Sequence, residues 1–379
     1  MSSIHLLGLV ISCCYLLACS QHTALSANDT NGKETKNVTA VTSKPPSQFE
    51  KDFNALDTLI DDFSHDIEAE WGKEEVYISG KRHYVKYTNN YKSRARIDFT
   101  KGIVRVETVA TDNPKAHLQQ AITTTLLTPN DPRSVDLYSA AEIKVNGKPF
   151  LQGQVLDHHG EEITWLWRAS RFAEFLIEHQ LKTKKLKYQS IFYVEIPMVQ
   201  NHTKRRSYQF ADIVRKASKR YGIPEELIYA IIKTESSFNP YAVSTSNAYG
   251  LMQIVPKTAG KDVFKLIKKR EGQPTPAYLF DPAKNIDMGT AYFYLLKNRY
   301  LKDIKNRVSK YYSMISAYNG GAGNVLKTFH SNRKIAIQNL NYLNPRQVFW
   351  ALTNKHPSSE TRRYLHKVTN YQKEFRNLY

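Results

Sequence analysis

The sequence predicts a multidomain α+β protein, with a mixed α/β domain followed by a mainly α-helical domain. Before about residue 205, short segments that alternate apolar and polar residues are separated by turn residues, as is typical of strands. Beyond that point, apolar residues recur every three to four positions, as is typical of amphipathic helices. The chain has 379 residues, which is enough for two domains with separate cores.

The N-terminus has the pattern of an export signal. Residues 4–19 read IHLLGLVISCCYLLAC, an apolar stretch too short for an ordinary membrane-spanning helix. The stretch ends at Cys19 in a sequence typical of a bacterial lipobox, so we expect residues 1–18 to be a lipoprotein signal peptide and Cys19 to be lipidated. An ordinary cleaved signal peptide is the alternative. Ser20 follows the cysteine, which favours the cell outer membrane, with the protein facing the periplasm.

Residues 19–50 are polar and rich in Ser, Thr, Asn and Lys, which predicts a flexible tether. The three cysteines of the chain all lie within its first 19 residues. The rest of the chain therefore has no disulfide framework, no cysteine-ligated zinc site and no cysteine nucleophile.

Residues 51–204 are expected to form an α/β accessory domain. The pattern predicts strands at 94–99, 104–106 and 191–198, helices at 114–127 and 165–178, and a hairpin at Asn146-Gly147 that joins 141–145 to 150–155. His158-His159 could suggest a metal pair, but a solvated turn beside Gly160 is the better interpretation, and we expect no metal or other cofactor. Nothing in this segment has the spacing of a catalytic site.

Residues 205–379 are expected to form the helical domain. One helix is predicted over 208–221, and the next runs from Pro224 to Glu235-Ser236. Ile228 and Ile232 precede Glu235 by seven and three positions, which puts the carboxyl on the apolar face of its helix. Burial and the nearby helix C-terminus both raise the pKa of a carboxyl, as a general acid requires. A Glu exposed at a helix end is the alternative.

The residues after Glu235 suit a sugar ligand. Residues 236–261 contain no Asp or Glu, but many hydroxyls and amides. Ordinary glycosidases need two carboxylates, and this stretch of sequence supplies one. Farther on, a predicted helix with a stripe of tyrosines ends in Tyr318-Asn319 followed by Gly320-Gly321, where the glycines would let backbone approach a ligand closely.

Four short motifs occur in a characteristic order. They are Glu235-Ser236, Gly250-Leu251-Met252-Gln253, Ala317-Tyr318-Asn319-Gly320-Gly321, and Tyr364 within Glu360-Thr361-Arg362-Arg363-Tyr364. Together they resemble the lytic transglycosylase family, which has a lysozyme-like fold. The resemblance implies cleavage of the β-1,4 bond between N-acetylmuramic acid and N-acetylglucosamine in peptidoglycan. One Glu would act as general acid and then as general base, forming 1,6-anhydromuramoyl ends.

The resemblance also implies roles for individual residues. Glu235 would be the catalytic acid/base, and Tyr364 would orient or polarise it. The remaining substrate-binding positions would hold N-acetyl groups and sugar hydroxyls, except for Met252, which would form an apolar wall of the groove; they are Ser236, Met252, Gln253, Tyr318 and Asn319.

The net charge of +19 favours a polyanionic or membrane-surface partner. Nucleic acid is a less suitable partner, because the protein is expected to be exported and its sequence has no module of interleaved basic and aromatic residues that would bind nucleic acid. We expect peptidoglycan strands and, through lipidated Cys19, the membrane as partners, with cell-wall machinery proteins as further candidates. A lysozyme-type hydrolase and a non-catalytic wall-binding lipoprotein are the alternative functions. The absence of a second carboxylate from the stretch after Glu235 favours the transglycosylase.

Overall fold

A computed structural model describes residues 48–376, with side-chain environments from residue 59 onward. The predicted signal peptide, Cys19 and the tether up to residue 47 lie outside the described residues. From Asp52 onward the chain forms one compact unit. None of the helices within 48–376 has the length and apolar character that crossing a membrane requires.

A five-stranded antiparallel sheet organises the first part of this unit. Its strands are β1 (His83–Thr88), β2 (Ser93–Asp98), β3 (Ile103–Thr108), β4 (Lys182–Lys185) and β5 (Ser190–Pro197), in the spatial order β1-β2-β3-β5-β4. Ile97 lies opposite Val104, and Val104 lies opposite Ile196, so apolar residues form a row across one face. The strands predicted from alternation correspond to β2, β3 and β5 and are confirmed.

Helices cover both faces of the sheet. Helix α1 (Gln48–Trp71) places Phe63, Ile67 and Trp71 against one face. Helices α2 (Pro114–Leu126) and α3 (Leu166–Gln180) cover the opposite face. The helices predicted over 114–127 and 165–178 are therefore confirmed, and this part is a mixed α/β arrangement in three layers.

The predicted hairpin at Asn146-Gly147 is wrong. Gly147 does adopt a left-handed turn conformation, with φ of 72°. However, neither 141–145 nor 150–155 forms a strand. The Phe150 N–H instead donates to the Thr128 carbonyl at 2.7 Å, and the Asn130 N–H donates to the Lys148 carbonyl at 2.9 Å. Pairing with this distant segment satisfies the backbone groups that a local hairpin would have used.

The second part is helical, as predicted, and the mixed α+β class is confirmed. Its helices are α4 (His202–Tyr208), α5 (Ala211–Tyr221), α6 (Glu225–Ser236), α7 (Lys261–Val263), α8 (Pro276–Leu279), α9 (Pro282–Leu295), α10 (Arg307–Gly320), α11 (Ala322–Lys327), α12 (Arg333–Tyr342), α13 (Pro345–Asn354) and α14 (Ser359–Arg376). The helix predicted over 208–221 is confirmed as α5, although it begins at Ala211. Arg206 of the preceding α4 contacts the α/β part, whereas Val214 of α5 packs in the helical core.

Helix α6 lies at the centre of the helical core and packs along α14. Residues 227–232 are all buried, which is typical of a helix that is enclosed on every side. Near the end of α6, Tyr241 enters the apolar core of the α/β part and donates to the Pro129 carbonyl. The α/β part and the helical part therefore meet beside the C-terminus of α6.

Candidate active site

The C-terminus of α6 has an unusual backbone. Ser237 and Phe238 both adopt left-handed conformations, with φ of 52° and 62°. Such conformations are uncommon for residues other than glycine and persist where the surroundings enforce them. Phe238 is fully buried, and the buried guanidinium of Arg206 donates to the Ser237 carbonyl at 3.0 Å. These contacts fix the direction in which the last turn of α6 presents Glu235.

Glu235 is a buried carboxyl, with 7% of its surface exposed. The Tyr364 hydroxyl donates to its Oε1 at 2.7 Å. Burial raises the pKa of Glu235 to about 7, although the hydrogen bond from Tyr364 opposes the rise. Among the residues that the structure describes, no cation forms an ion pair with this carboxyl. The burial of Glu235 predicted from the helical pattern is therefore confirmed, and the direction of its pKa agrees with that burial.

Glu235 lines a cavity of about 180 Å³. Its walls come from α6, from α14 and from the segment just before β1; the residues are Lys81, Arg82, Thr234, Glu235, Glu360, Arg363, Tyr364 and Lys367. Charge is unevenly distributed, with four cationic side chains and two carboxyls. This arrangement suits an anionic or strongly polar ligand beside a proton donor.

The segment Gly250-Leu251-Met252-Gln253 forms a tight loop beside α6. A Cβ on Gly250 would lie 2.4 Å from the Asn285 amide nitrogen, and its φ of 72° also favours glycine. Asn285 is buried and donates to the Tyr249 and Leu279 carbonyls, and it accepts from the Met252 N–H at 2.8 Å. This one amide side chain therefore links the loop to α8 and α9.

Two predicted substrate contacts lie inside the protein instead. Ser236 is fully buried, and its hydroxyl donates to the Ile232 and Leu251 carbonyls. Met252 is also fully buried, and a Cβ on Gly289 would lie 2.5 Å from its sulfur. Ser236 therefore packs between α6 and the 250–253 loop, and Met252 packs against α9; their contact with sugar stays a prediction.

Gln253 has a different environment. It adopts a left-handed backbone conformation, with φ of 48°, and is 8% exposed. Its amide nitrogen donates to the Ala242 and Gly250 carbonyls at 3.1 and 3.0 Å. Its Oε1 has no hydrogen-bond partner among the described residues. A buried acceptor without a partner is costly, so this oxygen is available for a ligand N–H or O–H.

Tyr318 and Asn319 lie at the end of α10. The Tyr318 hydroxyl donates to the Met252 carbonyl at 2.8 Å, and its ring stacks on Phe293 at 4.5 Å. Asn319 accepts from the Thr361 hydroxyl at 2.7 Å and donates to Glu360 at 3.3 Å. These contacts connect the end of α10 to the 250–253 loop and to the beginning of α14.

The close approach predicted at Gly320 involves protein and not ligand. A Cβ on Gly320 would lie 2.6 Å from the Thr361 hydroxyl and 2.9 Å from the His356 ring. Glycine is therefore needed so that α10 can approach the beginning of α14. Gly321, with φ of 80°, then ends the helix, as the sequence predicts.

Sequence reasoning missed six residues of the cavity, of which Thr234 directly precedes Glu235 in α6. Glu360, Arg363 and Lys367 share one face of α14 with Tyr364, and their helical spacing could have shown this. Lys81 and Arg82 come from the α/β part, where the sequence predicts no site. The two cations reach the cavity through tertiary packing that no local pattern encodes.

Comparison with known proteins agrees with these motifs. Residues 49–209 match the family described as "Membrane-bound lytic murein transglycosylase C, N-terminal domain", and residues 212–341 match the "Transglycosylase SLT domain". A solved structure of the 70 kDa soluble lytic transglycosylase of Escherichia coli is 27% identical, with a TM-score of 0.35; the match covers 45% of this chain and 24% of that protein.

Curated relatives match along most of their length. Membrane-bound lytic murein transglycosylase C of Yersinia pestis strain Pestoides F is 52% identical over 329 residues, which cover 86% of this chain and 92% of the relative. The protein of the same name from Yersinia pseudotuberculosis serotype O:1b matches with the same identity and coverage. This chain therefore belongs to the membrane-bound lytic murein transglycosylase C family.

Proposed function

We propose that this enzyme cleaves the β-1,4 bond between N-acetylmuramic acid and N-acetylglucosamine in peptidoglycan, with Glu235 as general acid and then general base. The observation that carries the proposal is the environment of the Glu235 carboxyl. It is a buried carboxyl with a pKa of about 7 and a hydrogen bond from Tyr364. Near neutral pH such a group can both donate and accept a proton.

In the first step, protonated Glu235 gives its proton to the glycosidic oxygen as the bond from that oxygen to muramoyl C1 breaks. The carbonyl oxygen of the muramoyl N-acetyl group bonds to C1 and acts as the internal nucleophile. This assistance takes the place of a second protein carboxylate.

In the second step, the Glu235 carboxylate takes the proton of the muramoyl C6 hydroxyl. The C6 oxygen bonds to C1 and displaces the N-acetyl oxygen, which closes the 1,6-anhydro ring. Glu235 is protonated again at the end of the cycle. No water is consumed, so the products together have the mass of the substrate.

The surrounding residues are proposed to hold the sugars and the catalytic group. Gln253 Oε1 accepts a substrate N–H or O–H, because it has no partner among the described residues. Tyr318 and Asn319 present polar groups between the 250–253 loop and α14. Tyr364 orients Glu235. Ser236 and Met252 support this arrangement from the core.

The membrane and cell-wall assignments are also part of the proposal. The relatives are named as membrane-bound. The lipobox-like sequence ending at Cys19 supports a lipid anchor in the outer membrane, with the enzyme facing the periplasm. Peptidoglycan strands are the proposed substrate, and cell-wall machinery proteins are candidate partners.

Product analysis tests the proposed reaction. Digestion of purified sacculi should release 1,6-anhydro muropeptides, which differ from reducing-end products by one water in mass spectrometry. Glu235→Gln should release almost none, and it controls for contaminating enzymes. Reducing-end products from the wild type would instead establish the lysozyme-type hydrolase.

One observation favours testing that hydrolase alternative directly. Glu360 lines the same cavity as Glu235, so the folded site contains a second carboxyl that the sequence around Glu235 does not supply. A hydrolase could use it to activate water or as a nucleophile. However, Glu360 accepts a hydrogen bond from Asn319, which supports a structural role for Glu360 at the junction of α10 and α14.

A further inference from the structure

The segment before β1 is attached to the C-terminus of α6. The Arg82 guanidinium donates to the carbonyl of Thr234, the residue that precedes Glu235. In the opposite direction, the buried Asn239 side chain donates to the Gly80 and Lys81 carbonyls, each at 3.3 Å. Contacts that run both ways between the two segments fix their separation.

Arg82 satisfies a backbone group that the helix cannot satisfy by itself. The last four carbonyls of an α-helix have no intrahelical partner, and Thr234 lies in the last turn of α6. A cation at this end also interacts favourably with the helix dipole. Arg82 therefore stabilises the turn whose next residue, Glu235, has to be held in one orientation.

Arg82 also affects the ionisation of Glu235. Lys81 and Arg82 line the cavity of Glu235 without forming an ion pair with it among the described contacts. Their positive charges lower the pKa of Glu235 and oppose part of the rise that burial causes. This opposition suits a group that has to give up a proton and then accept one near neutral pH.

We propose that Arg82, from the α/β part, is a positioning residue for Glu235: it holds the last turn of α6 through the Thr234 carbonyl and places a positive charge beside the cavity. The inference rests on the proposed function, because it takes Glu235 as the acid/base. It makes the α/β part a contributor to catalysis.

Other groups near Glu235 are left unchanged in the test. They are Tyr318 from α10, and Glu360, Arg363, Tyr364 and Lys367 from α14, together with Lys81 beside Arg82. Because all of them remain in an Arg82 variant, a change in the pH profile can be assigned to Arg82.

The experiment compares the wild type with Arg82→Gln, Arg82→Lys and the matched control Arg133→Gln in the full mature chain. Arg133 also joins the α/β part to the helical part, through Asp281 at 3.4 Å, but it does not line the cavity of Glu235. Rates of anhydro-product release from soluble glycan strands are measured against pH, with kcat and KM determined separately and melting temperatures recorded.

Arg82→Gln should lower kcat about tenfold with little change in KM, since it removes one charge-assisted hydrogen bond. The alkaline limb of its kcat/KM profile should move up by about 0.3 pH unit or more, because Glu235 loses a nearby positive charge. Arg82→Lys should keep the limb in place and recover part of kcat. Arg133→Gln should change neither.

An Arg82→Gln enzyme with an unmoved limb, or with wild-type kcat, would overturn the proposal. If Arg82→Gln does not fold, an Arg82→Lys enzyme with a lowered kcat, an unmoved KM and an unmoved alkaline limb supports positioning, whereas a wild-type kcat overturns it. Failure of the proposed function is distinguishable, since the wild type itself would then release no anhydro products.

Discussion

Two buried carboxyls in different parts of the molecule show how the candidate active site differs from a structural ion pair. Glu75, in the α/β part, is 6% exposed, and Glu235, at the end of α6, is 7% exposed. Burial raises the pKa of Glu75, but hydrogen bonds from Lys184 and Arg94 outweigh it, so the pKa is lowered overall. For Glu235 burial dominates, and its pKa rises to about 7.

The two carboxyls have similar exposed fractions, but their partners differ. Arg94 Nη2 lies 2.7 Å from Glu75, and Lys184 binds the other carboxylate oxygen. Glu235 receives a hydrogen bond from the neutral Tyr364 hydroxyl, while Lys81 and Arg82 act on it without an ion pair. A buried carboxyl with cationic partners stays ionised and supports the fold, whereas one without them keeps an exchangeable proton.

The largest expected effect is on activity at Glu235. Glu235→Gln keeps the shape of the side chain but removes the proton, so the rate of glycan cleavage should fall by about 10²–10⁴-fold. Stability should change by less than about 1 kcal/mol, because no ion pair is lost. Sacculus digestion and urea unfolding measure the two quantities. More than about a tenth of wild-type activity would refute the assignment.

The opposite pattern is expected at Glu75. Glu75→Gln removes one of the two carboxylate partners of buried Arg94, while Glu107 remains, and the free energy of unfolding should fall by roughly 1–3 kcal/mol. Cleavage by the remaining folded enzyme should stay within about twofold of the wild type, since Glu75 does not line the cavity of Glu235. If Glu75→Gln instead lost activity without losing stability, the distinction between the two carboxyls would fail.

Tyr364→Phe sharpens the comparison, because it removes the neutral hydroxyl that donates a hydrogen bond to Glu235. Tyr364 donates to Glu235 and favours its charged form, so the variant should raise the pKa of Glu235. The alkaline limb of the pH profile should therefore move to higher pH, while kcat falls about tenfold. A fall in rate with an unmoved limb would assign Tyr364 to substrate binding alone.

The smallest effect is expected at Glu360, the second carboxyl of the cavity. Glu360→Gln retains a side-chain oxygen that can accept from Asn319, so activity should remain within about threefold of the wild type. Asn319→Ala serves as a companion variant, because it removes the donor of this hydrogen bond. A loss of 10²-fold or more in Glu360→Gln alone would indicate a two-carboxylate hydrolase.

The sequence predicts those features that depend on local periodicity. The position of Glu235 on an apolar helix face follows from Ile228 and Ile232, and its burial and raised pKa follow in turn. The helices and the central strands are predicted for the same reason. Ser236 is adjacent in sequence, yet its hydroxyl turns into the core towards the Leu251 carbonyl, a direction that spacing alone does not determine.

Features that depend on tertiary packing could not be predicted in this way. Arg82 reaches Thr234 across 152 positions of sequence, and Asn285 holds the 250–253 loop from a separate helix. The expected hairpin at Asn146-Gly147 is absent because residues 148–150 pair with 128–130. In each case a nonlocal partner decides the structure, and the residues themselves carry no motif.

The most direct test of the account is a titration of the Glu235 carboxyl itself. Carbon-13 NMR of protein labelled at the Glu side-chain carboxyls, with Glu235→Gln to assign the signal, would follow its ionisation with pH. We predict a midpoint of about 7, with the acid form present below it and the catalytic acid step lost as pH rises through it. A midpoint at or below the ordinary Glu value of about 4.3 would contradict the account, because Glu235 would then be ionised like a paired carboxylate.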